Sequence, residues 1–266
     1  MSAAPFGRRA LTVTSVEPVG AYHLLELADP DGPEPRAGQF AMLACTEEWG
    51  GGEDERPFLP RAISIARHRQ SRSQFLLEAV GPGSARLCAV GEGESVWVLG
   101  PLGNGFTAPA EARTPILVGG GVGIAPLMIL QDQLSGPAAV LLGFRGRDHA
   151  AGAALLTGAR VATDDGSVGH HGTVTEMLEH ELAGNGAAEV YACGPVGMLE
   201  SVRALCERSG TPVQLALEAP MACGFGACYG CVVPRRGGGY LRVCVEGPVV
   251  SGSEIAAVDE HAGAPA

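Results

Sequence analysis

Apolar residues in the N-terminal part of the chain come in short runs separated by polar and turn-forming residues. Leu11–Val16, His23–Leu27, Gln39–Ala44, Ala62–Ala66, Gln74–Val80 and Ser95–Leu99 are rich in β-favouring residues. Asp29-Pro30-Asp31-Gly32-Pro33, Gly81-Pro82-Gly83 and Gly91-Glu92-Gly93 punctuate them. Short strands at this spacing predict an antiparallel barrel or sandwich. Thr46–Arg56 is acidic and Gly-rich and reads as an exposed loop.

From Thr114 the period changes. Pro115–Val118 is an apolar strand, Ala125–Leu134 a helix and Ala138–Phe144 a second strand. Thr173–Leu182 reads as a helix, Glu189–Cys193 as a strand and Val196–Ser209 as a helix. Strands alternating with helices predict a parallel sheet built from βαβ units. The pattern therefore reads as an antiparallel β part, barrel or sandwich, followed by α/β. The expected division is an antiparallel β domain over 1–109, an α/β domain over 110–211, a small β-rich segment over 212–250 and a loose tail over 251–266.

Composition narrows the function classes. Hydrophobic residues make up 46% of the 266, enough for a packed core. With 18 Lys plus Arg against 29 Asp plus Glu, the net charge is −11. Such a surface repels a nucleic-acid backbone and an anionic membrane, so neither is an expected partner. Thr114–Gln131 is 18 residues without a charge, near the length of a membrane span. Its four glycines and the proline in its middle split it into strand, loop and helix instead. Met1–Arg9 has two arginines and no apolar core behind them, so no signal peptide is read and a reducing, cytoplasmic setting is expected.

Of eight cysteines, Cys45, Cys88, Cys193 and Cys206 are scattered, whereas Cys223, Cys228, Cys231 and Cys244 follow C-x4-C-x2-C-x12-C. C-x4-C-x2-C with a more distant fourth cysteine is the plant-type 2Fe–2S spacing, here with a short final gap. Glycines between the first three let amide N–H groups point at an inorganic core. Zinc is the competing reading, although only Cys228 and Cys231 form the C-x2-C knuckle that zinc favours. Buried thiols or disulfides are the reading without metal.

Two loops fall where a parallel sheet binds ligands, beyond the carboxyl ends of strands. Gly121-Val122-Gly123-Ile124-Ala125-Pro126 follows one strand, and Cys193-Gly194-Pro195 follows another. Glycines let backbone amides approach a pyrophosphate, and a helix N-terminus adds partial positive charge. The dinucleotide fingerprint is incomplete: Pro126 replaces its third glycine, and the acidic residue expected at the end of the next strand is missing. Arg145 and Arg147 stand there and could take a 2′-phosphate. Cys193 reads equally as a nicotinamide contact or as a small buried hydrophobe. His170-His171, in a polar loop, reads as solvent-exposed.

The order of motifs carries more than any one of them. Arg61-Ala62-Ile63-Ser64, then Gly81-Pro82-Gly83-Ser84, then Gly100-Pro101-Leu102-Gly103-Asn104-Gly105-Phe106, the glycine loop and Cys193-Gly194-Pro195 resemble the ferredoxin–NADP reductase superfamily. With the C-terminal cysteine segment, the chain resembles the electron-transfer subunits of NAD-dependent, two-subunit dihydroorotate dehydrogenases, over roughly Leu11–Val250.

That resemblance implies a fold of β-barrel plus α/β, the barrel holding the flavin, and an oxidoreductase subunit carrying FAD, a 2Fe–2S cluster and a site for NAD, acting in pyrimidine biosynthesis. Arg61 would contact FAD phosphates within Arg61-Ala62-Ile63-Ser64, Ser64 would lie near the flavin N5, and Gly81, Gly83 and Ser84 would hold the pyrophosphate. Gly120, Gly121 and Gly123 would admit NAD, with Cys193, Gly194 and Pro195 at the nicotinamide. Cys223, Cys228, Cys231 and Cys244 would ligate the cluster. No residue is assigned a general acid, base or nucleophile role. The partner implied is an FMN-containing dihydroorotate dehydrogenase catalytic subunit, two of each forming a heterotetramer, docked near Phe225 and Tyr229. The alternatives are a stand-alone NAD(P)H reductase feeding an oxygenase, a hydrogenase or a ferredoxin, and a non-catalytic zinc-bearing scaffold.

Overall fold

The computed structural model describes residues 7–50, 56–110, 113–184 and 186–256. The six N-terminal strands are β1 (Arg9–Val19), β2 (Tyr22–Ala28), β3 (Phe40–Cys45), β4 (Arg61–Arg69), β5 (Arg72–Leu77) and β6 (Ser95–Leu102). They close an antiparallel barrel in the order β1-β2-β5-β4-β3-β6. Alternation does the work: in β6 Val96, Val98, Gly100 and Leu102 are buried while the residues between them are half-exposed. After β5 the chain forms a short helix, α1 (Pro82–Cys88), where the sequence had suggested only a turn. Pro82 fits because a first-turn residue has no intrahelical N–H partner to lose.

The second unit carries β7 (Thr114–Gly120), β8 (Ala139–Phe144), β9 (Ala159–Thr163), β10 (His170–His171), β11 (Ala188–Cys193) and β12 (Val213–Ala216). Its helices are α2 (Ala125–Gln133), α3 (Arg147–Ala150), α4 (Val174–Ala183) and α5 (Val196–Ser209). β13 (Val232–Pro234) and β14 (Tyr240–Arg242) form a separate hairpin, and β15 (Val249–Ser251) returns to the sheet beside β12, antiparallel. The seven-stranded order is β10-β9-β8-β7-β11-β12-β15. β7 is buried from Pro115 to Gly120, as a central parallel strand covered on both faces must be. The chain runs from β7 outward through β8, β9 and β10, then returns to the other side of β7 with β11. The order therefore reverses at β7, and the crevice beyond the ends of β7 and β11 is the natural ligand site.

Three sequence expectations change. His170-His171 is an edge strand, although both residues stay exposed, and His170 Nε2 lies 2.9 Å from Glu176 Oε2. In Thr46–Arg56, Trp49 turns inward and packs on the barrel core, because an indole that reaches apolar surface is stabilised by covering it. Residues 51–55 lie outside the described residues. The tail is not loose over 251–256: Ile255 is buried and the Arg236 N–H donates to Glu254 O. Residues 257–266 lie outside the described residues.

Barrel and sheet pack together through two apolar clusters, the larger lying under the barrel. Leu25, Phe75 and Val98 of the barrel join Leu117, Ile124, Leu127 and Tyr191 of the sheet unit. Polar contacts fix the junction: Arg67 Nε donates to Asp132 Oδ2 at 2.8 Å, and the Ala21 N–H donates to Asp148 O.

Candidate functional site

Arg61 opens β4 and Gly83 lies in the first turn of α1. They meet: a methyl group at Gly83 would come within 2.3 Å of Arg61 Nε, so only a glycine leaves the guanidinium its place. Arg61 also lies 5.7 Å from the Trp49 ring centroid, and its Nη1 donates to Leu59 O. Trp49 Nε1 is buried with no hydrogen-bond partner. A sealed N–H without an acceptor is costly. Together with an arginine laid on a glycine, it fits an anionic ligand such as a dinucleotide diphosphate. Ser84 behaves otherwise than the motif suggests. Its hydroxyl accepts from the Val80 and Gly81 N–H groups and donates to Gly81 O, bracing the turn. What this turn offers a phosphate is backbone amide rather than hydroxyl. Gly81 faces open space, and Ser64 lies half-exposed on β4 opposite Phe40. Ala62 is exposed and Ile63 half-buried on the same strand.

Gly120 ends β7, and Gly121–Ile124 is a 3-10 turn leading into α2. Cys193 ends β11 in register with Gly119. The two loops touch: a methyl at Gly123 would lie 2.7 Å from Gly194 Cα and 2.8 Å from the Cys193 carbonyl carbon. Pro195 and Met198 close the same spot from above, against Gly120. Gly121 has φ +55 and open space around it, the freedom a tight phosphate turn needs. Burial and the nearby Glu218 push the Cys193 thiol up to about 12, so it is a neutral group and not a thiolate nucleophile.

Cys223, Cys228 and Cys231 stand on an irregular loop, with Gly224 at φ +79 and Gly226 at φ +87. Burial opposes a charged Cys223, but the amides of Phe225, Cys228 and Ala227 outweigh it and draw the thiol down to about 6. Burial and the Cys231 sulfur push Cys244 up to about 12. The donors fall into two pairs. Cys231 Sγ is 3.2 Å from Cys244 Sγ, and Cys223 hydrogen bonds with Cys228. Two pairs of cysteine sulfurs, with amides aimed at Cys223, fit a binuclear cluster with two ligands to each iron, which would bind them as thiolates.

The cysteine loop sits on the barrel. A methyl at Gly224 would meet Met42 Cγ at 2.6 Å, and Met42 pairs with Ala62 across β3 and β4. One methionine therefore separates the Arg61–Ser64 strand from the residue after Cys223. Asn104 secures the other side: its Nδ2 donates to Val245 O and Glu246 O, and its N–H to Gly247 O. Asn104, Met42 and Trp49 were not singled out from sequence. Asn104 lies inside the Gly100–Phe106 motif, but its partners are more than 140 positions away.

A family model for the iron-sulfur cluster binding domain of dihydroorotate dehydrogenase B matches residues 218–256. The dihydroorotate dehydrogenase B (NAD(+)) electron transfer subunit of Geobacillus thermodenitrificans is 37% identical over 265 residues, covering 94% of this chain and 98% of that one. The chain belongs to this family. The electron transfer subunit of Caldanaerobacter subterraneus subsp. tengcongensis is 34% identical, covering 84% of this chain and 88% of the relative. Among solved structures, an NADH-dependent reduced ferredoxin-NADP oxidoreductase superposes with a TM-score of 0.77 at 23% identity, over 96% of this chain and 91% of that one. A ferredoxin NADP+ reductase from Neisseria gonorrhoeae, solved with FAD and NADP, gives 0.59 at 16% identity, over 78% and 93%. This member of the family has a reductase-like fold, and its cysteine segment packs against the barrel.

Proposed function

We propose that this chain relays electrons from a dihydroorotate-oxidising partner to NAD⁺, with FAD and a 2Fe–2S cluster as its carriers. A flavin exchanges hydride with a nicotinamide and single electrons with a cluster, so the protein needs to supply only binding, orientation and electrostatics. Residues 1–109 form the flavin unit, 110–211 the NAD unit and 212–250 the cluster segment. Arg61 and the Gly83 amide bind the FAD diphosphate, and Ser64 is placed to hydrogen bond the ring. Gly120, Gly121 and Gly123 admit the NAD pyrophosphate, while Cys193-Gly194-Pro195 borders the nicotinamide. Cys223 and Cys228 hold one iron, Cys231 and Cys244 the other.

The observation that carries this reading is the contact between Gly224 and Met42, which joins paired cysteines to the flavin strand. Carriers that exchange electrons must lie close, and this contact leaves no room for a domain between them. The partner is an FMN-containing catalytic subunit in a heterotetramer of two of each. Phe225, Tyr229 and Tyr240 are large, exposed side chains on the cluster segment, and they form the surface it would cover. A cytoplasmic setting is part of the proposal and suits cysteines that are all unpaired among the described residues. No helix among those residues is long and apolar enough to cross a membrane.

The test is the visible spectrum of anaerobically purified protein before and after NADH. Flavin bands and broad iron–sulfur absorption that both bleach are expected. A protein that stays colourless after reconstitution with FAD, iron and sulfide would overturn the reading. A second measurement addresses the clamp. Asn104→Ala removes two hydrogen bonds to the turn after Cys244, at a cost of about 1 kcal/mol. Chelator-driven loss of iron is expected to quicken, with FAD content unchanged. Equal rates of iron loss would show that the clamp does not hold that turn.

A further inference from the structure

The dinucleotide fingerprint lacks its acidic residue at the end of β8, which runs out as Phe144-Arg145-Gly146. The neighbouring strand supplies one at the same place. β9 pairs with β8 so that Thr163 opposes Phe144, and the Asp164 N–H donates to Phe144 O at 3.0 Å, carrying the ladder one residue further. The next residue, Asp165, then reaches across to the end of β8. A methyl at Gly146 would lie 2.5 Å from its Oδ2, so the carboxylate rests directly on that glycine. The Ser167 N–H donates to Oδ1 at 2.9 Å and fixes its direction. Asp165 is exposed, and among the described residues no cation is paired with it.

The position is the informative part. In a dinucleotide fold, the carboxylate one strand over from the glycine turn accepts hydrogen bonds from the adenosine ribose, and a 2′-phosphate there needs a cation instead. Two arginines compete for that role. Arg147 Nη2 is tied to Ser167 O at 2.8 Å, within the loop that holds Asp165. Arg145 follows β8 directly and is exposed. Asp165 is thus the acid whose direction is fixed over the end of β8.

We infer that Asp165 selects NAD over NADP, accepting the adenosine ribose hydroxyls and repelling a 2′-phosphate. The inference rests on the reading of Gly120–Gly123 as the nicotinamide nucleotide site. The experiment compares the FAD-loaded wild-type chain with Asp165→Asn, which keeps the size and loses the charge. Flavin bleaching by NADH and by NADPH gives one selectivity, and calorimetric binding of 5′-AMP against 2′,5′-ADP gives another without any turnover. In Asp165→Asn both ratios are expected to move toward the phosphorylated nucleotide by about tenfold. Asp165→Glu, which restores a carboxylate, is expected to recover at least part of the discrimination. A wild type that bleaches with NADH beside an Asp165→Asn of unchanged ratios overturns the inference alone. A wild type that binds neither nucleotide overturns the nucleotide site and the inference with it.

Discussion

Cys244→Ser is expected to purify with its flavin and without its iron. The sulfur of Cys244 is buried 3.2 Å from that of Cys231, and the pair lies in a second apolar cluster with Met42 and Leu102 of the barrel and Val190 and Leu215 of the sheet. A serine hydroxyl there offers a poor ligand and leaves a polar group in an apolar setting. The loop carrying the other cysteines has little regular structure of its own and bends through Gly224, Gly226 and Tyr229 at positive φ. Metal binding to such a loop is folding free energy as much as ligation. The substitution should therefore also raise protease cutting within Met221–Cys231, while NADH still bleaches the flavin. Cys206→Ala is the control, because Cys206 is fully buried on α5 and outside the cysteine loop. Its iron content should match wild type. An iron-loaded Cys244→Ser, or an iron-free Cys206→Ala, would overturn the ligand assignment.

Local pattern made the frame legible and left long-range pairing hidden. Alternation marked β6, and an unbroken apolar run marked β7, because burial on one face or on two leaves different periods in the chain. The cysteine spacing and both glycine loops were readable for a similar reason: each is a short backbone path around a ligand. β10 was not readable, since two residues carry no period and its place depends on pairing with β9. β15 was hidden too, because its register beside β12 is set by residues far apart in the chain. The same limit concealed Asn104 and Met42, whose roles depend on which turn folds over which strand. Ser84 shows a motif residue whose hydroxyl is consumed by its own turn, a use that spacing alone cannot distinguish from phosphate binding.

Gly123→Ala is expected to separate nucleotide binding from the rest of the molecule. Gly123 packs face to face with the backbone at Cys193 and Gly194, and the added methyl would lie 2.7 Å from both the N and the Cα of Gly194. No side chain can swing away, because both neighbours are main chain. The turn after β7 and the loop after β11 must therefore move apart, at about 1–3 kcal/mol of overpacking. These are the two walls of the crevice where the strand order reverses. A displacement near 1 Å at a hydride-transfer site costs about a hundredfold in rate, so flavin reduction by NADH should fall by at least that factor. FAD content and iron should stay at wild-type levels, since Arg61 and Gly83 lie on the barrel unit and the four cysteines on the later segment. Stopped-flow bleaching at several NADH concentrations would measure the loss and divide it between binding and rate. Wild-type kinetics in this variant would mean that the nicotinamide does not enter between these loops, and the site would have to be sought elsewhere along the barrel–sheet junction.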